Sequence, residues 1–162
     1  MKSPYKRLVN EREVAQRVRE LSARTAIIDI EPLIAYWDGT QAALDEGIAD
    51  ILERFAENPE LEVVCFATNS ARLPSLFPDQ PRLRAMYMVS ARKPIKVAAY
   101  LDLPRPGVVI GDQVCTDGLL ARRLGYTFLH YQPSPASMPL GPRLLYGCGE
   151  LLRPFLFSST GS

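Results

Sequence analysis

Four apolar runs in this chain each lead into side chains able to do acid–base, metal or phosphate chemistry. Ala26-Ile27-Ile28 leads into Asp29, with Glu31 two residues on. Val63-Val64-Cys65-Phe66-Ala67 leads into Thr68 and Asn69. Met86-Tyr87-Met88-Val89 is followed by Ser90 and Lys93, and Val108-Val109-Ile110-Gly111 leads into Asp112, with Asp117 just beyond. Carboxylates hold hard cations, while a hydroxyl and an ammonium hold phosphate. Two carboxylates, Asp29 and Asp112, on neighbouring strands would stand about 5 Å apart and repel unless a cation or a proton lay between them. Mg²⁺ suits such oxygen ligands. Asp117 would reach a metal-bound water or cap the helix that follows it. The residues together read as a Mg²⁺-dependent phosphoryl-transfer site.

Such a site needs elements that bring these ends together. Five predicted strands (25–30, 61–67, 86–89, 107–111 and 127–130) alternate with predicted helices. Val14, Val18 and Leu21 share a helical face over 11–22, as do Leu44, Ile48, Ile51, Leu52 and Phe55 over 44–57. Pro94 opens a predicted helix running to about Leu101, and Gly125 stops another over 115–124. Alternation of this kind implies an α/β fold, a mainly parallel five-stranded sheet with right-handed crossovers. Ligands then collect outside the carboxyl ends of the strands. The Pro-rich stretch 133–142 is read as loop. The apolar stretch 143–157, interrupted by Gly147, Gly149 and Pro154, is read as a partly helical tail packing its apolar side on the body or lying on a membrane surface. The whole chain, 1–162, is expected to form one domain, with its core over about 22–133.

Composition narrows the chemistry. Nineteen basic and eighteen acidic residues leave a net charge of +1, so no global attraction to nucleic acid is expected. Basic clusters over 2–24 and 82–96 are solvated surface or a positive rim to the site. Cys65, Cys115 and Cys148 form no CxxC pair, which suits a reducing cytoplasm. A single histidine, His130, leaves no His-rich metal site. No apolar run reaches the roughly 20 residues that span a bilayer, and the N-terminus lacks the apolar region of a signal peptide. There is no P-loop, and Gly147-Cys148-Gly149 is no dinucleotide fingerprint. The order of acidic residues also fits a receiver domain poorly.

The tract Ile110-Gly111-Asp112-Gln113-Val114-Cys115-Thr116-Asp117 resembles the GDQxxTD motif of the YqeG-type subfamily of haloacid dehalogenase (HAD) phosphatases, which includes phosphatidylglycerophosphate phosphatases. Ser90-Ala91-Arg92-Lys93-Pro94 is similar to the subfamily's AxKP motif, and Ala67-Thr68-Asn69-Ser70 to its SNN motif. Lys6-Arg7-Leu8-Val9 is similar to its N-terminal lead. The resemblance covers about residues 5–133. The first motif departs from it: the family reads DxDNT where this chain has Asp29-Ile30-Glu31-Pro32-Leu33.

The resemblance implies a Rossmann-like three-layer sandwich without a cap domain, its first predicted strand between the second and fourth. It implies Asp29 as nucleophile and Glu31 as acid/base. Mg²⁺ would be held by Asp29, the backbone carbonyl of Glu31 and Asp112, with Asp117 beside it. Thr68, Asn69 and Lys93 would hold the phosphoryl group. It implies a cytoplasmic phosphomonoester hydrolase acting through an aspartyl-phosphate. The absence of room for a cap favours a large or lipid-linked phosphate such as phosphatidylglycerophosphate, with peripheral membrane contact. Glu31 is one methylene longer than the family's Asp, Pro32 lacks an N–H and Leu33 a hydroxyl. The alternative expectation is therefore a catalytically weakened domain that binds phosphate or a protein partner.

Overall fold

A computed structural model describes residues 2–8, 10–134 and 138–159. Val9 of the N-terminal lead, residues 135–137 of the predicted loop and residues 160–162 lie outside the described residues. The elements, in chain order, are β1 (Ser3–Leu8), α1 (Glu13–Glu20), β2 (Thr25–Asp29), α2 (Gln41–Ala56), β3 (Val63–Ala67) and β4 (Arg84–Met88). They continue with β5 (Gly107–Gly111), a π-helical turn (Val114–Gly118), α3 (Leu119–Leu124), β6 (Thr127–Tyr131), α4 (Leu140–Leu156) and β7 (Phe157–Ser159). The strands form one sheet in the order β4-β3-β2-β5-β6-β1-β7, and every neighbouring pair is parallel. As expected, β2 lies between β3 and β5.

The fold is α/β with helices against a parallel sheet, Rossmann-like in general. The sheet has seven strands, not five. The two additional strands escaped notice for physical reasons. β1 (Ser-Pro-Tyr-Lys-Arg-Leu) carries two charges and buries only Ser3, Tyr5 and Leu8, so it lacks an apolar run. β7 is three residues long.

The three strands that carry Asp29, Thr68 and Asp112 are buried along their whole length. Parallel strands covered on both faces read as continuous apolar runs for that reason. Side chains alternate between two cores. Ala26, Ile28, Val64, Phe66, Val108 and Ile110 pack with Val14 and Val18 of α1 and with Leu44, Ile48 and Leu52 of α2. Ile27, Cys65, Val109 and Phe128 pack with Leu120, Ala121 and Leu124 of α3. The Thr40 hydroxyl caps α2 by accepting from the Ala43 amide (3.2 Å). Gly125, at φ +69°, closes α3 in the left-handed region.

Two helices differ from expectation. Residues after Pro94 form turns and a single 3-10 turn (Ala98–Tyr100) rather than an α-helix. The chain there is occupied in delivering the Lys93 side chain inward, and Ile95 and Val97 are poor helix initiators. The tail is one helix, α4, through both glycines and Pro154. Most of its apolar side does not pack on the body: Leu140, Leu144, Leu145, Leu151, Leu152 and Phe155 are all exposed, Leu151 and Phe155 at 75%, whereas Leu156 and the adjoining Phe157 pack on the core that holds α3. Gly149 is buried instead, because a Cβ there would stand 2.9 Å from the Cβ of Val114. The side facing inward carries Tyr146, Glu150 and Arg153.

Candidate active site

β2 ends at Asp29, β3 at Ala67 and β5 at Gly111, in register: Asp29 lies opposite Ala67, and Ile28 opposite Ile110. The residues that follow each strand therefore gather on one edge. Oxygens of Asp29, Asp112 and Asp117 all lie within 4.8 Å of one another, and all three residues are buried. This buried cluster could hold a metal ion and is compatible with Mg²⁺. The fit rests on Asp112. It is wholly buried, and among the described residues neither of its carboxylate oxygens has a hydrogen-bond partner. A buried carboxylate without a donor is costly, and a cation would satisfy it.

Lys93 reaches this cluster from the β4–β5 connection. The Thr68 amide donates to the Met88 carbonyl (3.0 Å) and the Ala91 amide to the Thr68 carbonyl (2.9 Å), which extends the strand pairing past β4. Ser90 (φ 47°) and Arg92 (φ 50°) then take left-handed backbone conformations. Each costs roughly 1–2 kcal/mol for an L-residue. The Lys93 amide is fixed by the Asn69 Oδ1 (2.9 Å). The ammonium, its side chain 1% exposed, donates to Asp29 Oδ1 (2.7 Å), Asp117 Oδ1 (2.8 Å) and the Ala67 carbonyl (3.0 Å).

Asp117 sits in the π-helical turn, where its carboxylate reaches back to the amide of Gln113, the N-cap residue of that turn. It pairs with Lys93, and its other oxygen accepts from the Gln113 amide (3.4 Å) and the Thr116 hydroxyl (3.3 Å). Gly111 permits this, since a Cβ on it would collide with the Asp117 carboxylate.

Two of the three carboxylates, Asp29 and Asp117, share one ammonium, and the electrostatics follow. Burial, then the charge of Asp117, raises the Asp29 pKa well above the ordinary carboxylate range, against the pull of Lys93. Burial and Asp117 push Asp112 up to about 8. Burial pulls Lys93 down, but Asp117 and Asp29 together outweigh it and raise its pKa above the usual lysine value.

Glu31 is held by two hydroxyls. The Thr68 hydroxyl donates to its Oε2 (2.8 Å), and the Ser70 hydroxyl lies 3.4 Å from its Oε1 and 2.9 Å from the Thr68 oxygen. The Glu31 carboxylate thus stands on the Thr68 hydroxyl that the sequence suggested for phosphate, and beside that of Ser70. Asn69 serves the loop through its carbonyl oxygen and also lines the cleft above the cluster.

That cleft, about 490 Å³, is bounded by Asp29, Glu31, Ser70 and Gln113 on the polar side and by Trp37, Pro142 and Leu145 on the apolar side. Arg72 borders it too, and clamps the 36–40 turn by donating to the carbonyls of Tyr36, Gly39 and Thr40. Arg82, Arg84 and Arg92, the other basic residues near this stretch, do not line it.

Sequence reasoning assembled Asp29, Glu31, Thr68, Asn69, Lys93, Asp112 and Asp117, and these residues do meet at one strand edge. It missed Ser70, Trp37 and Leu145 as neighbours of the site, and the contact of His130 with the Asp112 carbonyl (2.9 Å). A signal for His130 existed: it closes the predicted strand 127–130, which the structure places beside the Asp112 strand with His130 opposite Gly111.

No family model matches this chain, and no curated protein and no solved structure matches it either. A functional reading therefore rests on the residues themselves. Among the described residues, no helix is long and apolar enough to cross a membrane.

Proposed function

We propose that this chain is a Mg²⁺-dependent phosphomonoester hydrolase of the haloacid dehalogenase type, acting through an aspartyl-phosphate. The observation that carries the reading is the buried Asp29–Asp112–Asp117 cluster, in which Lys93 pairs with Asp29 and Asp117, and which opens through Asp29 to the cleft. A cation held by Asp29, Asp112 and Asp117 would screen the charge of nucleophile and phosphate. The chain's own groups do the rest. Asp29, at the floor of the cleft, attacks phosphorus through a carboxylate oxygen as the bond from phosphorus to the ester oxygen breaks. Glu31 gives its proton to the leaving oxygen. It then takes a proton from water, which attacks the same phosphorus, and phosphate leaves as Asp29 is restored. Lys93 keeps Asp29 oriented, and the Thr68 and Ser70 hydroxyls hold Glu31 toward the cleft.

The shape of the mouth favours a large or lipid-linked phosphate, phosphatidylglycerophosphate being one example. Its apolar wall, Trp37, Pro142 and Leu145, continues into the exposed leucines of α4. An apolar helix face beside a phosphate site suits a substrate carried on a lipid surface. A second reading, a domain that binds phosphate or a partner without efficient turnover, draws on the Glu31 carboxylate occupying Thr68 and Ser70.

The two readings separate in one assay. With Mg²⁺ and p-nitrophenyl phosphate, the hydrolase turns over and Asp29→Asn abolishes turnover. Activity that survives Asp29→Asn, or that arises only in Glu31→Asp, would sink the hydrolase reading.

A further inference from the structure

Asp112 is aimed by something other than its own side-chain bonds. Among the described residues neither of its oxygens has a hydrogen-bond partner, which leaves the backbone that carries the carboxylate as the hydrogen-bonded means of placing it. The β5–β6 ladder ends one residue earlier, at the Gly111–His130 pair. Beyond that point the His130 side chain takes over from the ladder. Its Nε2 lies 2.9 Å from the Asp112 carbonyl oxygen.

The chemistry of that contact fixes the ring. A carbonyl only accepts, so Nε2 carries the proton and donates. In the neutral imidazole, Nδ1 then presents a lone pair. The Tyr5 hydroxyl, 2.9 Å away, donates to it, and the Tyr5 oxygen accepts in turn from Arg153 Nη1 (3.2 Å). The imidazole is fully buried and stacks on Phe128, with ring centroids 5.1 Å apart. A directed chain of donors thus runs Arg153, Tyr5, His130, Asp112 carbonyl. It links α4 and β1 to the one unsatisfied carboxylate of the cluster.

We propose that His130 is a positioning residue for Asp112, with Tyr5 and Arg153 holding its ring in the donating orientation. Partners behind a metal-binding side chain tune affinity by setting that side chain's geometry. Here the partner acts one bond further back, on the backbone that carries the carboxylate. The inference rests on the cation-site reading above, and its test keeps the two apart.

The test measures Mn²⁺ binding to the intact chain by calorimetry, with phosphatase activity as a separate reading. His130→Leu removes the donor, and Mn²⁺ affinity is expected to fall about ten-fold or more. His130→Gln keeps an N–H at a similar reach and is expected to stay close to wild type. Tyr5→Phe leaves the ring in place but removes its orienting hydroxyl, and is expected to fall between them. It carries the test if His130→Leu does not fold. Wild-type affinity in both His130→Leu and Tyr5→Phe would overturn this inference alone, as would equal losses in the Leu and Gln variants. A wild type that binds no Mn²⁺ would overturn the cation site and this inference together.

Discussion

Asp112 carries the clearest consequence at the scale of single residues. Its carboxyl is pushed from an ordinary value of 3.8 up to about 8, by burial and by Asp117. Between those values the native chain holds a proton that the unfolded chain has released. Stability without metal therefore falls as pH rises from about 4 to about 8, and no more is lost from this group above that. Asp29, raised for the same reasons, acts in the same direction. In chelator, the melting temperature is expected to drop between pH 5 and pH 8, and Asp112→Asn is expected to flatten the slope. Mn²⁺ should lift the melting temperature more at pH 8 than at pH 5, because at pH 5 it must displace a tightly held proton. Profiles with the same slope in wild type and Asp112→Asn would count against a strained, proton-holding carboxylate.

At the scale of elements, α4 and the π-helical turn behave as one piece. The helix approaches Val114 so closely at Gly149 that no side chain fits between them. Gly149→Leu is expected to push α4 away, destabilise the fold by about 1–3 kcal/mol as overpacking usually does, and weaken Mn²⁺ binding by disturbing the 112–117 turn. Hydrogen exchange would locate the loosening in α4 and that turn. Unchanged exchange there would mean that the contact is incidental.

The same elements show what a sequence can and cannot disclose. The strands carrying Asp29, Thr68 and Asp112 were legible because burial on both faces makes them unbroken apolar runs. Their order placed the seven site residues at one edge. The orientation of Glu31 toward Thr68 was not legible, since it depends on how an irregular turn closes. Nor was the outward apolar side of α4. Periodicity gives the face of a helix but not the direction it points, and here a buried glycine and a polar network claim the inner side. β1 was hidden because two charges and a proline break its pattern.

At the scale of the whole molecule, Leu140, Leu144, Leu151 and Phe155 lie on one exposed side of a helix whose neighbour Leu145 borders the cleft. A lipid surface would cover that side and bring a headgroup phosphate to the site. Wild type is expected to sediment with vesicles containing an anionic phospholipid, and Leu144→Lys with Leu151→Lys to remain in the supernatant. Soluble p-nitrophenyl phosphate should be hydrolysed equally well by both. Sedimentation unaffected by the double substitution would remove α4 from the lipid contact.

The position of β1 also orders events during synthesis. Among the described residues it precedes every other strand in sequence, yet it sits between β6 and β7, which come last. Tyr5 and His130 are 125 positions apart in sequence. The nascent chain can assemble the β4-β3-β2-β5 portion while β1 waits with neither neighbour available. The donor chain behind Asp112 joins Tyr5 to His130 and Arg153, so it closes only after segments far apart in sequence have met.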